Sequence, residues 1–339
     1  MDADGAHVYA PIGRYQPERL LGRGAMGRVL LAHDPVVDRQ VAIKLLRDDL
    51  VIAPEQRTAL IDRMRQEARA SARVSHPNIV ALYDLGEDPE LGLYLVFEYA
   101  EGFTLEQRIN KGPVGAAAGA RLARELGDAL TTAHAAGVLH RDIKPQNIIL
   151  TPTGAKIADF GIARVPDSTL TQDGGLLGTP AYSAPECITK SAFSPLSDQF
   201  SLAATLYEAL SQMRAFPGED AVSVATRITT DEPPPVAGLC GLDPHVDAIL
   251  SRGLSKAPGD RYPSARELGE ALAEALSVRT RSTQPTLPDE HHRRAPWQKR
   301  PENHGLRSAV GGAAVGLSLI HISEPTRLRR ISYAVFCLK

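Results

Sequence analysis

Cysteine is scarce in this chain. Three residues among 339, Cys187, Cys240 and Cys337, lie far apart with no paired spacing. That argues against a disulfide framework and against a structural zinc site, and it fits a reducing compartment. The N-terminus, Met1-Asp2-Ala3-Asp4, lacks the basic start and apolar core of a signal peptide. No run of about 20 apolar residues occurs, so no complete membrane helix can be read. No internal repeat is visible. An excess of one charge is missing as well: 38 Lys+Arg stand against 40 Asp+Glu, and the chain is 43% hydrophobic. These values exclude global disorder, a collagen-like repeat and a supercharged nucleic-acid binder, so no nucleic-acid partner is expected.

The balanced total hides an asymmetry. Residues 1–277 carry nine more acidic than basic side chains, whereas residues 278–307 carry four more basic than acidic. The second stretch is rich in Pro, Ser, Thr, His and Arg without apolar periodicity, and reads as a solvated linker. Before it, Leu268, Leu272 and Leu276 recur every four residues, the spacing of an amphipathic helix over 265–276. Strand-like runs come early: Arg28 to Ala32, Gln40 to Leu46, Ile79 to Tyr83 and Leu93 to Phe97. One helical pattern, Glu55 to Arg73, interrupts them. After Glu101 the chain turns mostly helical, with Leu122, Leu126 and Leu130 on one face. Strands first and helices later predict an α+β protein with two lobes.

Leu21-Gly22-Arg23-Gly24-Ala25-Met26-Gly27-Arg28-Val29 is a GxGxxGxV run. Such glycines let backbone approach a polyphosphate closely, but the spacing also serves plain turns and dinucleotide sites. Here Val29 to Ala32 reads as a strand where a dinucleotide site needs a helix, so the glycines belong to a hairpin. Val41-Ala42-Ile43-Lys44 follows. Lys44 is either a snorkelling surface residue or a cation over bound phosphates. In the second case Glu67, on the following helix, is the candidate carboxylate to hold it; on its own Glu67 equally suits a solvated helix face. Further on, His140-Arg141-Asp142-Ile143-Lys144-Pro145-Gln146-Asn147 precedes Asp159-Phe160-Gly161. Each piece has an ordinary reading as a polar turn. Their order and spacing together do not.

Taken together these motifs resemble the eukaryotic-like protein kinases, whose signature set they match over about residues 13–276. Three further pieces belong to the resemblance: Gly178 to Glu186 as the end of an activation segment, Ser197-Asp198-Gln199 opening a central helix, and Asp260-Arg261-Tyr262 as a late arginine motif. The resemblance implies a two-lobed kinase domain over 13–277, with an N-lobe at about 13–99 and a C-lobe at about 100–277, behind a tail of residues 1–12. It implies ATP with Mg²⁺, or Mn²⁺ in its place, and protein Ser/Thr substrates. Leu21, Gly22, Gly24, Gly27, Val29 and Ala42 would enclose the nucleotide, with Phe97 as gatekeeper and the backbone of Glu98 and Ala100 against adenine. Lys44, held by Glu67, would contact phosphates. Asn147 and Asp159 would ligate the metal, Asp142 would accept the substrate proton, and Lys144 would neutralise the γ-phosphate. Lys144 also favours Ser/Thr over Tyr as acceptor. Arg141 implies control by activation-loop phosphorylation, at Thr171 first and Thr169 second, with two copies phosphorylating each other. Thr179 is expected to brace the Asp142 region, and Arg261 to pair with Glu186. The alternative class is a nucleotide-binding pseudokinase scaffold. The presence of Lys44, Glu67, Asp142, Asn147 and Asp159 gives no ground for lost catalysis.

The C-terminal region carries two further expectations. Residues 308–316 are small and apolar and follow Arg293, Arg294, Lys299, Arg300 and Arg307, as in a positive-inside junction. The resemblance extends to bacterial receptor-type kinases, so a cytoplasmic kinase domain and a single inner-membrane span in the full-length protein are expected, with 278–307 as juxtamembrane linker and 308–316 as the start of a truncated helix. Residues 317–327 and 331–339 match the translation of a transposase-type sequencing adapter. Residues 317–339 are therefore expected to be foreign, the alternative being a natural amphipathic tail.

Overall fold

The computed structural model describes residues 9–24, 27–46, 54–160 and 180–277. The expectations placed on Thr169, Thr171, Thr179, the linker 278–307, the run 308–316 and the segment 317–339 fall outside the described residues. Among the described residues no helix is long and apolar enough to cross a membrane.

The elements run β1 (Gln16–Gly24), β2 (Gly27–Asp34), β3 (Arg39–Leu46), α1 (Pro54–Ser71), β4 (Leu82–Asp88), β5 (Gly92–Glu98), β6 (Phe103–Thr104), α2 (Leu105–Ile109), α3 (Ala116–Ala135), β7 (Ile148–Thr151) and β8 (Gly154–Ile157). Then come α4 (Pro185–Lys190), α5 (Pro195–Ser211), α6 (Ala221–Thr230), α7 (Ala237–Cys240), α8 (His245–Gly253) and α9 (Ala265–Ser277). The fold is α+β with two lobes. The first is a five-stranded antiparallel sheet in the order β1-β2-β3-β5-β4, joined by α1; the second is helical and carries the small sheet β6-β7-β8.

Strand period explains the first lobe. In β3, Val41, Ile43 and Leu45 face one apolar cluster with Ile12, Tyr15, Tyr94 and Val96. Ala42 faces the opposite cluster, toward the second lobe, and Lys44 shares its side of the strand. The glycine hairpin forms as read: Gly22 pairs with Val29 and Gly24 with Gly27, whose φ of 143° an L side chain rarely adopts.

One strand starts later than the sequence pattern predicts. Ile79 and Val80 precede β4, which begins at Leu82. Ile79 instead makes an isolated parallel bridge to Ile157, with Val80 N donating to Ile157 O at 2.9 Å and Ile157 N to Asn78 O at 2.8 Å. Their apolarity serves burial between the lobes, not membership of the sheet.

The second lobe is built around α5, in which Ser197 to Tyr207 are all buried, as befits a helix surrounded by others. A capping box at Ser194 and Ser197, with Pro195 in the first turn, starts it. Helices α3 and α9 approach closely: a Cβ on Gly269 would meet Ala123 O at 2.3 Å. Leu122, Leu126, Leu130, Leu268, Leu272 and Leu276 all enter the same core.

Candidate active site

The loop between α3 and β7 carries Asp142, and burial and hydrogen bonding fix its shape. Asp198, in the first turn of α5, is 1% exposed. Its Oδ2 accepts from His140 N at 2.8 Å, its Oδ1 accepts from Arg141 N at 2.8 Å, and His134 Nε2 lies 2.9 Å from Oδ2. The positive end of α5 adds to the stabilisation of that carboxylate. Arg141 consequently sits at φ 65°, a left-handed conformation that a non-glycine residue holds only when its surroundings impose it.

His140 is wholly buried. Asp142 N donates to its Nδ1 at 3.2 Å, so Nε2 carries the hydrogen and donates to Ala158 O at 2.9 Å. Burial pushes its pKa below the ordinary histidine value, which keeps the ring neutral. Its edge packs on Phe160, with ring centroids 4.7 Å apart. A bracing role, not acid–base chemistry, follows from this burial.

Around Asp142 the charged groups converge. Lys144 Nζ lies 2.7 Å from Asp142 Oδ2. Asn147 Nδ2 donates to Asp142 O at 2.8 Å and to Asp142 Oδ2 at 3.0 Å, which leaves Asn147 Oδ1 as an acceptor. Ala158 N donates to Asn147 O at 2.8 Å, tying this loop to the residue before Asp159.

Asp159 sits at φ 61°. Its Oδ1 receives Lys44 Nζ at 2.8 Å, and its Oδ2 is buried without a hydrogen-bond partner. An orphaned carboxylate oxygen suits a hard divalent cation, and the amide oxygen of Asn147 is a donor of the same hard kind. Among the described residues no cluster of three or more His, Cys, Asp or Glu could hold a metal alone. A cation here would therefore take its remaining ligands from phosphate and water, the mode that Mg²⁺ favours.

The expected Lys44–Glu67 pair is not made. Lys44 is 5% exposed, and the carboxylate its ammonium meets is that of Asp159. Glu67 Oε1 instead accepts from Arg141 Nη1 at 3.1 Å. The reason is competition. The left-handed turn at Asp159 brings Oδ1 to Lys44, while Arg141, turned out of the loop by the grip of Asp198 on its backbone, meets α1 at Glu67.

The remaining candidates divide by location. Leu21, Val29, Ala42, Phe97 and Ala100 share one apolar cluster with Ile149 and Ala158, so both lobes contribute walls to the cleft. Ile149 and Ala158 carried no motif; only their places just after Asn147 and just before Asp159 could have flagged them. Behind Phe97 a small cavity lined by Val74, Ile79, Val80, Leu82 and Phe160 reaches Asp159. Gly22, Gly24 and Gly27 lie in the β1–β2 hairpin. Glu98 ends β5.

Arg261 is 2% exposed and makes a two-pronged pair with Glu186, at 2.7 and 2.8 Å. It also donates to Leu196 O at 2.9 Å and Ser255 O at 2.9 Å. The 178–186 motif gave Tyr182 no role of its own; its hydroxyl donates to Glu208 Oε2 at 2.5 Å beside α4. Burial and the Glu208 charge push its pKa well above the ordinary tyrosine value.

Comparison with known proteins bears directly on this cleft. The protein kinase domain family matches residues 15–269. The chain is 38% identical over 291 residues to serine/threonine-protein kinase PknA of Mycobacterium tuberculosis, covering 84% of this chain and 66% of that protein. It is 34% identical over 282 residues to serine/threonine-protein kinase pkn3 of Myxococcus xanthus, covering 79% of this chain and 51% of that one. Against serine/threonine-protein kinase PknB of M. tuberculosis it is 39% identical over 264 residues, covering 75% of this chain and 42% of the relative. The chain thus spans about two thirds or less of the length of these relatives. With a glycine hairpin, a buried lysine, a braced Asp142 and the matched family in agreement, the chain belongs to the protein kinase domain family and is similar to its bacterial serine/threonine members.

Proposed function

We propose that the protein transfers the γ-phosphate of ATP to serine and threonine hydroxyls of proteins. Family membership brings ATP and a divalent cation; the hard oxygen donors of Asp159 and Asn147 favour Mg²⁺, with Mn²⁺ as a substitute. The observation that carries the reading is the convergence of Lys144 and Asn147 on Asp142, at 2.7 and 3.0 Å. Phosphoryl transfer asks a protein mainly for positioning and for cancellation of charge. Asp142 orients the acceptor hydroxyl and takes its proton. Asn147 and Lys144 hold that carboxylate at one angle, and Lys144 would neutralise charge on the transferring group. Lys44 contacts the non-transferred phosphates, and Glu67 holds it when nucleotide is bound. Asp159 and Asn147 would hold the cation, which would supply neutralisation of phosphate charge. Leu21, Val29, Ala42 and Ile149 enclose adenine, with backbone groups of Glu98 and Ala100 as its hydrogen-bond partners.

Arg141 gives the reading its control. Its guanidinium holds Glu67 in this structure. A phosphate on Thr171 or Thr169 would compete for that guanidinium and release Glu67 to Lys44. One copy phosphorylating another is the simplest route to that state. Incubation of the full chain with Mg·ATP and a generic protein substrate should label serine and threonine, and mass spectrometry should find phosphate on Thr171 or Thr169. No transfer, or transfer to tyrosine alone, would overturn the assignment; an active enzyme with an unmodified loop would overturn the control.

A further inference from the structure

Lys156 plays no part in the chemistry above, yet it connects three segments that matter to it. Strand β8 alternates, with Ala155 and Ile157 buried in the core of the second lobe and Gly154 and Lys156 only partly buried. Lys156 Nζ meets both oxygens of the Glu98 carboxylate, Oε1 at 2.9 Å and Oε2 at 3.1 Å. Glu98 ends β5, where the chain crosses from one lobe to the other. The same Oε2 accepts from Ala81 N at 3.2 Å, and Glu98 N donates to Ala81 O at 2.8 Å. Segment 78–81 is itself bound to β8: besides the Ile157 bonds described above, Asn78 Nδ2 donates to Ala155 O at 2.7 Å.

An ion pair at a protein surface ordinarily contributes little. This one differs in three respects. The two side chains are only 15% and 24% exposed. Both carboxylate oxygens are engaged, and one of them is also fixed by a backbone N–H. The backbone that the pair restrains belongs to the residue whose main chain faces adenine in the reading above. Without Lys156, Glu98 would reach the strand that leads into Asp159 only indirectly, through Ala81 and segment 78–81.

We propose that Lys156 is a positioning residue for adenine recognition, acting through Glu98. It holds the interlobe crossing in one register against β8, so that the base-binding backbone and Asp159 keep a fixed separation. This inference rests on the kinase reading of the cleft, and its test separates the two. Full-length wild type, Lys156→Met and Lys156→Arg are compared for KM of ATP, kcat, and the inhibition constant of adenosine, which probes the base side without phosphates. In Lys156→Met, KM for ATP should rise roughly threefold to tenfold, the value of one partly buried charged contact, with kcat within about twofold of wild type. The adenosine constant should rise by the same factor, and Lys156→Arg should restore both. Should the Met variant fail to fold, Lys156→Gln, which removes the charge but keeps a polar side chain, should show the same split. Unchanged adenosine binding in a folded variant, or an altered kcat at constant KM, would overturn the proposal. A wild type that binds adenosine but transfers no phosphate would instead overturn the kinase reading.

Discussion

The two sides of the cleft are built differently. On the second-lobe side, Asp142 sits in a loop whose backbone is held by the buried carboxylate of Asp198, whose histidine is neutral and packed, and whose neighbouring helices are tied by Arg261 to Glu186. Each of these groups has a single set of partners that satisfies it. Across the cleft, Lys44 and Glu67 of the first lobe meet Asp159 and Arg141 of the second in two ion pairs, Lys44–Asp159 and Arg141–Glu67, that can be exchanged for others among the same four residues. Buried networks with every partner satisfied resist rearrangement. The Arg141–Glu67 pair is partly exposed and weak enough to trade, and the buried Lys44–Asp159 pair leaves Asp159 Oδ2 without a hydrogen-bond partner. On the proposed reading, the base is set in advance, and the phosphate-binding charges are left to respond to nucleotide and to loop phosphorylation.

The fixed side can be broken most severely at its centre. Asp142→Asn preserves the shape and the Asn147 contact but removes the carboxylate proposed as proton acceptor. Its kcat should fall by roughly 10²- to 10⁴-fold, the usual contribution of a positioned general base, with the melting temperature unchanged. A residual rate within threefold of wild type would place the proton acceptor elsewhere.

Next in size is Arg261→Ala. It leaves the Glu186 carboxylate facing a buried gap and removes the donors to Leu196 O and Ser255 O, which should destabilise the fold by about 3–5 kcal/mol in denaturant titration. Arg261→Lys should recover little of this, because a single ammonium cannot reproduce the two-pronged contact. A neutral effect would mean that the second lobe does not depend on this tie.

The smallest effect is that of pH. Burial lowers the His140 pKa in the folded state below its ordinary value of 6.5. The unfolded chain then binds a proton that the folded chain refuses, so this contribution is fully present above 6.5 and is lost as pH falls below it, by at most about 1.4 kcal/mol per pH unit. Unfolding midpoints measured from pH 7.5 down to 5.5 should show this slope, and His140→Gln should flatten it. An unchanged slope in the variant would remove His140 from the acid response.

The sequence made much of the fixed side legible, because that side depends on local motifs and on one strand's alternation. Lys44 shares the cleft side of β3 with Ala42 simply by sitting two residues on. Asn147 meets Asp142 across five residues of one loop. The Arg261–Glu186 pair spans 75 residues and could be expected only through family resemblance. What could not be read is which of several compatible charges pair in one particular state. Glu67 lies on the correct helix, but a guanidinium from another lobe competes for it, and no spacing rule ranks Arg141 against Lys44. Ile79 and Val80 misled for a related reason: apolar, β-branched residues look like sheet strand whether they join the sheet or plug the junction between lobes. Lys156 escaped notice because it lies in a short strand with no motif, and its partner is distant in sequence.

The contrast between a fixed and an exchangeable side is tested most directly by a crystal structure of the full chain with Mg²⁺ and a non-hydrolysable ATP analogue. Lys44 Nζ should have left Asp159 and should lie within about 4 Å of the Glu67 carboxylate, with Arg141 released from Glu67. The bonds from Asp198 to His140 N and Arg141 N should be unchanged from 2.8 Å. Lys44 still paired with Asp159 beside bound nucleotide, or an Asp198 network that had come apart, would contradict the account.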